Sequence, residues 1–427
     1  MTDLASRAVD PRVTTHAPRA AFACMAVLAV VLGVGRFAFT PLLPLMLQNG
    51  TLDIRHGGWL ASLNYAGYFL GAITCAALRF AAARVVKAGL VATVVLVLAM
   101  GVTNQFWIWA AVRFAAGVVS AWTFVFASQW GLRQLAERGA NQWGGVIYAG
   151  PGIGIATTGL LVGAAGAHDA SMGWLGFGIV SALLTACVWR TFATTPAAMG
   201  TPASHEAYAT RATHATHATN AAPAVPAAPA SGMRPSRFER SRVHRADAAW
   251  LIVLYGAPGF GYIITATFLP VIARAALPVG SVWPDLFWPM FGVALVVGAL
   301  AAGRLPAHWD NRTLLAGCYV LQALGIGLGI IWPTAGGFAI GSMLIGLPFT
   351  AITMFAMREA RRLHGDDAAG LMGYATAAYG LGQIVGPLVA APIAAHTGSF
   401  SLALWLAAGA LLAGAIGLIA VANVRGR

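Results

Sequence analysis

Charge is nearly absent from most of this chain, and that absence decides what it can fold into. Only 9% of the 427 residues are Asp, Glu, Lys or Arg, while 59% are hydrophobic. A soluble domain carries roughly a quarter charged residues, so an aqueous fold is excluded. The apolar residues are grouped into stretches of the length a bilayer requires, about 20 residues each. Twelve such stretches are present: 21–47, 58–78, 88–103, 106–130, 142–165, 172–189, 248–272, 284–303, 313–331, 335–357, 370–395 and 400–422. The first is too long for a cleaved signal peptide and lacks a small-residue cleavage site followed by a polar mature chain. The sequence therefore predicts an all-α integral membrane protein with twelve transmembrane helices, numbered here as spans 1 to 12.

The basic residues set the expected orientation. Of the 26 Lys and Arg residues, 22 fall in the termini and in alternate loops: Arg79, Arg84 and Lys87 follow span 2, Arg133 and Arg138 follow span 4, and seven arginines lie between spans 6 and 7. The opposite loops hold only Arg55 and Arg274, while Arg36 and Arg113 lie inside spans. Under the positive-inside rule, both termini and the central loop are expected on the cytoplasmic face of a bacterial inner membrane. The formal net charge of +13 is thereby explained by topology and the lipid bilayer, without a nucleic-acid partner. Cys24, Cys75, Cys187 and Cys318 lie far apart inside apolar runs. They read as small hydrophobic side chains, with neither disulfide nor metal spacing.

The central segment differs in composition, with runs such as RATHATHATN and AAPAVPAAPA. Such a segment cannot bury enough apolar surface to fold. Its histidines, His205, His214 and His217, read as low-complexity drift and not as a metal site. The expected organisation is a cytoplasmic tail (1–20), a six-helix bundle (21–190), a disordered cytoplasmic linker (191–246), a second six-helix bundle (247–423) and a short tail (424–427). The two bundles match each other at one offset. Gly33, Gly35 and Pro44 correspond to Gly259, Gly261 and Pro270, and Gly144, Tyr148 and Gly154 correspond to Gly370, Tyr374 and Gly380, all 226 residues apart. An even number of spans in each half makes the repeats parallel, which is a transporter arrangement with its site between the halves.

Two stretches of the first half, GVGRFAFTPLLPLM (33–46) and GWLASLNYAGYFLGA (58–72), and one of the second, ATAAYGLGQIVGPL (375–388), resemble the major facilitator superfamily and, within it, the bacterial YbfB/YjiJ-like subgroup. The resemblance covers essentially all twelve spans. It implies the major facilitator fold and alternating access by rocking of the halves around a central site. Of the superfamily's general motifs, R-x-x-x-G is present in span 4 as Arg113 and Gly117. The antiporter-associated G-P-x-x-G is present in span 5 as Gly150, Pro151 and Gly154, with an echo at Gly386 and Pro387. The loop motif that places an Asp four residues after a Gly is altered: Cys75 follows Gly71, and Ala302 follows Gly298. Asp310 and Arg312 are the candidates for a substitute gating salt bridge.

The candidate site rests on ionisable groups at depth. Arg36 lies about 22 Å from one end of span 1 and about 16 Å from the other, and Arg113 about 10 Å below the nearer end of span 4, at 1.5 Å per residue. An arginine so placed costs at least about 2.5–3.5 kcal/mol and faces a cavity or a partner. Either these guanidinium groups hold an anion, which they match bidentately, or they bond backbone carbonyls and support packing. No acidic residue lies mid-membrane. Asp247 and Asp285 open spans 7 and 8, where an acid favours a helix N-terminus. Neutral candidates complete the substrate-binding set: Asn64 and Tyr68 at i, i+4 in span 2, Tyr379 and Gln383 at the same spacing in span 11, and Tyr262, which occupies in span 7 the repeat position of Arg36. Each is equally suited to bonding between helices.

The sequence holds no P-loop, CxxC or HExxH and no buried nucleophile with a base, so neither enzyme chemistry nor a cofactor is expected. The expected function is secondary active transport of a small solute, an organic anion, by a monomer, with protons or a counter-anion as the coupled species. The alternatives are a proton-coupled efflux antiporter for drugs or metabolites and, third, a non-transporting membrane sensor. A flexible connector of about 55 residues spans far more than two adjacent bundles require. Deletion of residues 201–230 is therefore expected to leave proteoliposome transport nearly unchanged; its loss in correctly inserted protein would assign the segment a gating role.

Overall fold

The computed structural model describes residues 11–165, 169–192, 237–306, 308–364 and 368–425. Among these every regular element is helical. Eleven helical segments are long and apolar enough to cross a membrane. The twelfth span, Ile54–Thr74, has the length, at 21 residues, but carries Arg55, His56, Ser62, Asn64, Tyr65 and Tyr68. Its polar content follows from its place, since it packs against span 4 on one side and against the other half on the other. Together these helices give two six-helix halves in parallel repeat.

Several helices outrun the apolar stretches that predicted them. Span 4 runs Phe106–Glu137, span 7 Arg237–Ala276 and span 11 Ala368–Thr397. Span 10 is built of Ala335–Gly346 and Phe349–His364, and span 12 runs Ser401–Arg425. Hydropathy marks only the membrane-crossing part of a helix, and backbone hydrogen bonding continues beyond it. The helix of span 7 thus begins inside the segment expected as linker, and that of span 1 begins at Pro11, inside the expected tail. The rest of the linker, residues 193–236, lies outside the described residues, with His205, His214 and His217 among them.

This extension corrects the reading of Asp247. It sits ten residues into its helix, not in the first turn, and pairs with Arg312 of span 9 at 3.2 Å. Arg312 also donates to Glu359 of span 10 at 2.6 Å, and Glu359 accepts from Arg362. Asp247, Arg312 and Glu359 are buried. Buried charges persist only when paired in this way, so the network ties three spans of the second half together. Asp310 is not part of it: its carboxylate caps the helix of span 9 at the Thr313 N–H. Asp285 does lie in the first turn of span 8 (Trp283–Ala302), beside Pro284, and it also pairs with Arg274 at the end of span 7.

The halves meet along two close helix pairs. Spans 2 and 11 approach at Gly58, where an added Cβ would lie 2.6 Å from the Ala391 Cβ. Spans 5 and 8 approach at Gly152, whose added Cβ would lie 2.6 Å from the Gly292 carbonyl oxygen. Spans 1 and 7 are pinned together by the Thr40 hydroxyl, which donates to the Ala266 carbonyl at 2.8 Å. Thr40 and Ala266 are 226 residues apart, so they are repeat equivalents meeting across the pseudo-two-fold axis. One apolar core crosses both halves at this level. Toward the ends bearing the basic loops it gives way to separate clusters, around Cys24, Val27 and Leu135 in the first half and Leu251, Ala360 and Leu371 in the second.

Small residues set these approaches. A Cβ on Gly33 of span 1 would fall 2.5 Å from the Gly154 Cα of span 5, and backbone cannot swing aside. Gly33→Ala is therefore expected to destabilise the protein by about 1–3 kcal/mol, the usual cost of overpacking. Gly176→Ala, where nothing lies within 4 Å, should leave the melting temperature in detergent unchanged. Equal melting temperatures for both variants would contradict this packing.

Candidate functional site

Arg36 stands where span 1 is interrupted. A π-helical segment, Ala29–Val34, gives way to a turn over 35–38 before the helix resumes as Phe39–Gln48. The sequence explains the break. Pro41 has no N–H for the Phe37 carbonyl, and Thr40 N bonds that carbonyl instead at 3.2 Å. Gly33 and Gly35 remove the side chains that would keep spans 3 and 5 away. Such π segments recur at functional positions in helices.

Arg113 holds the interruption. Its Nη1 and Nη2 donate to the carbonyls of Gly35 (3.3 Å) and Arg36 (3.1 Å), and its guanidinium lies 4.9 Å from the Phe39 ring centroid. Asn64 lies behind it, donating to the Arg113 carbonyl at 2.8 Å. Gly117 lets span 2 approach: a Cβ there would fall 2.1 Å from the Asn64 carbonyl oxygen. Of the two readings open for these residues, backbone support describes both Arg113 and Asn64.

Arg36 is placed differently. It is only 6% exposed, and its Nη2 donates to the Oε1 of Gln383 in span 11 at 2.9 Å. Its guanidinium carbon lies 4.0 Å from the Tyr68 ring centroid, 5.1 Å from Tyr65 and 5.2 Å from Phe37. Cation–π contacts are worth about 2 kcal/mol or more when desolvated, which offsets part of the cost of burial. Among the described residues, neither Arg36 nor Arg113 has a carboxylate within ion-pair distance, and the Arg36 Nε has no partner. Gln383 in turn donates through Nε2 to the Tyr262 hydroxyl.

The structure thus brings Arg36, Tyr68, Tyr262, Tyr379 and Gln383 together. Tyr262 and Tyr379 stack at 6.0 Å, and Tyr379 stacks on Tyr255 at 5.0 Å. Tyr65 adds another polar contact between the halves, its hydroxyl 3.0 Å from that of Thr267. Aromatic packing continues from Phe37 to Trp288 of span 8, at 6.1 Å. The sequence reading missed Tyr65, Tyr255, Thr267 and Trp288. Tyr65 was accessible to it, lying three residues before Tyr68 on the same helical face. Tyr255 was also accessible, seven residues before Tyr262. Among the described residues no cluster of His, Cys, Asp or Glu could hold a metal ion.

Two parallel six-helix halves around a buried central cluster are the architecture of the major facilitator fold. The family described as "Uncharacterised MFS-type transporter YbfB" matches residues 28–222 and 219–419, and the chain belongs to that family. The fold is similar to crystal structures of the nucleoside transporter NupG. A point mutant of NupG aligns with a TM-score of 0.69 at 14% identity, covering 94% of this chain and 99% of the other. The unmutated NupG structure aligns with a TM-score of 0.65 at 13% identity, covering 95% and 98%. No curated protein matches the sequence.

The contrast between the two arginines is testable. Arg113→Ala leaves the carbonyls of Gly35 and Arg36 without these donors inside an apolar bundle, a loss of about 1–3 kcal/mol each. It should lower the melting temperature in detergent by several degrees. Arg36→Ala should lower it less, because it deprives one acceptor, the Gln383 Oε1, of its donor where Arg113→Ala deprives two backbone carbonyls. The reverse order would exchange the two roles.

Proposed function

We propose that this protein is a secondary active transporter of a small organic anion, working by alternating access across the bacterial inner membrane with both termini in the cytoplasm. The observation that carries this reading is Arg36. It is a buried guanidinium at the contact of the two halves, its side-chain hydrogen bond going to the neutral Gln383. A site built for a cationic drug would offer a carboxylate at this depth. A nucleoside, the cargo of the structurally similar NupG, is uncharged and has no need of the guanidinium. The joined core around Thr40 and Ala266 and the separate clusters toward the basic loops fit a conformation closed on the periplasmic side. Gly150 and Gly154 of the G-P-x-x-G motif lie against the backbone of span 1, which supports a packing role over a sign of antiport.

Arg36→Ala is expected to abolish anion uptake into proteoliposomes while leaving the protein inserted. Arg36→Lys should restore only part of it, since an ammonium lacks the bidentate fork. Normal uptake by Arg36→Ala would overturn the reading.

Coupling follows from the distribution of acids. Asp285, the outer-end acid best placed to carry a proton, is already paired with Arg274, and the buried acids Asp247 and Glu359 are paired with Arg312. We infer anion exchange, or carriage of the substrate's own proton, in place of a titrating midplane carboxylate. Counterflow in liposomes should be strong, and a pH gradient should not drive accumulation by exchange. Asp285→Asn should change neither. Proton-driven accumulation lost in Asp285→Asn alone would make Asp285 the coupling site.

A further inference from the structure

The arrangement around Gln383 specifies more than charge. Its carboxamide is a planar three-atom head held between two groups: Oε1 accepts from Arg36, and Nε2 contacts the Tyr262 hydroxyl. A carboxylate has the same planar head and the same reach. It has two acceptor oxygens where the amide has one, so it can accept from the guanidinium and from the Tyr262 O–H together. Both bonds then become charge-assisted, shorter and roughly twice as strong as neutral ones. Arg36 and Tyr262 are 226 residues apart, the repeat offset, with one in each half. A head group bound to both therefore lies across the pseudo-two-fold axis and is shared by the two bodies that must move.

The surroundings of this head group are aromatic to an extent the core does not require. Five of the chain's nine tyrosines, at 65, 68, 255, 262 and 379, gather here. Leu or Ile would pack the centre of a membrane bundle without a buried hydroxyl to satisfy. Three of the tyrosines form a near-parallel stack, with interplanar angles of 28° and 22°, and Tyr68 lays its face on Arg36 at 4.0 Å. Faces that stack on one another offer a planar ring the same contact, and an aliphatic chain gains only its area there.

We propose, building on the anion-transport reading above, that the substrate is an aromatic monocarboxylate whose carboxylate replaces the Gln383 carboxamide between Arg36 and Tyr262 while its ring packs alongside the Tyr255–Tyr379–Tyr262 stack. Gln383 is then a resident stand-in for the substrate. Its release from Arg36 on binding breaks a contact between spans 1 and 11, so that occupancy of the site alters the bond between the halves.

The test is binding to the full-length protein purified in detergent, followed by thermal shift and calorimetry with benzoate, cyclohexanecarboxylate and adenosine as probes. Benzoate is expected to bind, cyclohexanecarboxylate about 10-fold more weakly for want of an aromatic ring, and adenosine not at all. Gln383→Glu tethers a carboxylate in the proposed position. It should retain or raise the melting temperature and lose benzoate binding, whereas Gln383→Ala should keep or strengthen it. Equal affinity for benzoate and cyclohexanecarboxylate would overturn the aromatic assignment and leave the anion reading standing. Benzoate binding undiminished in a folded Gln383→Glu protein would overturn the displacement of Gln383. Failure of every carboxylate to bind both wild type and Gln383→Ala, or binding of adenosine alone, would overturn the anion reading as well.

Discussion

A guanidinium buried where two apolar half-molecules meet is the constraint around which the rest of this protein is arranged. Arg36 costs at least about 2.5–3.5 kcal/mol to place at such depth, and among the described residues no acid lies within ion-pair distance of it. The chain stabilises it instead with aromatic faces and one amide, groups that lower the cost without cancelling the charge. A carboxylate partner would have been more stabilising and would have left no net charge for a ligand. The retained charge is what the proposed function uses.

Supporting that group requires an irregular backbone in a place that ordinarily forbids it. Open backbone within a bilayer is tolerated only where protein re-satisfies its polar groups. Here Arg113 does so for the Gly35 and Arg36 carbonyls, and Asn64 anchors the helix carrying Arg113. The close approach at Gly117, the break in span 1 and the position of Arg36 are consecutive links in one structure. The second half has no matching arginine pair. Its buried charges are instead gathered in the Asp247–Arg312–Glu359 network, which joins three of its spans. The two halves share a fold but are held together by different chemistry, which suits a site whose charge comes from one side and whose platform comes from the other.

Much of the architecture could be read from the residues, because membrane helices announce themselves through length and apolarity and the repeat through its offset of 226. Thr40 meeting Ala266 at that offset expresses in space what the sequence holds as periodicity. That Arg36, Tyr68, Tyr262, Tyr379 and Gln383 would gather in one place was legible because polar groups are rare at such depth and cluster when buried. The division of labour between Arg36 and Arg113 was not legible, because both are buried arginines and only the direction of each guanidinium separates them. Asp247 was misplaced because its helix begins in polar sequence, where hydropathy gives no signal. Tyr255 and Trp288 were overlooked because aromatic residues in an apolar run look like core until a partner ring is seen.

The central claim, that a single anion bound at Arg36 links the two halves, is tested most directly by a cryo-electron microscopy structure with a transported carboxylate bound. The account predicts carboxylate density within hydrogen-bond distance of the Arg36 guanidinium, about 2.7–2.9 Å, with the Gln383 side chain turned away from it. Ligand density elsewhere in the bundle, with the Arg36–Gln383 bond intact, would contradict it.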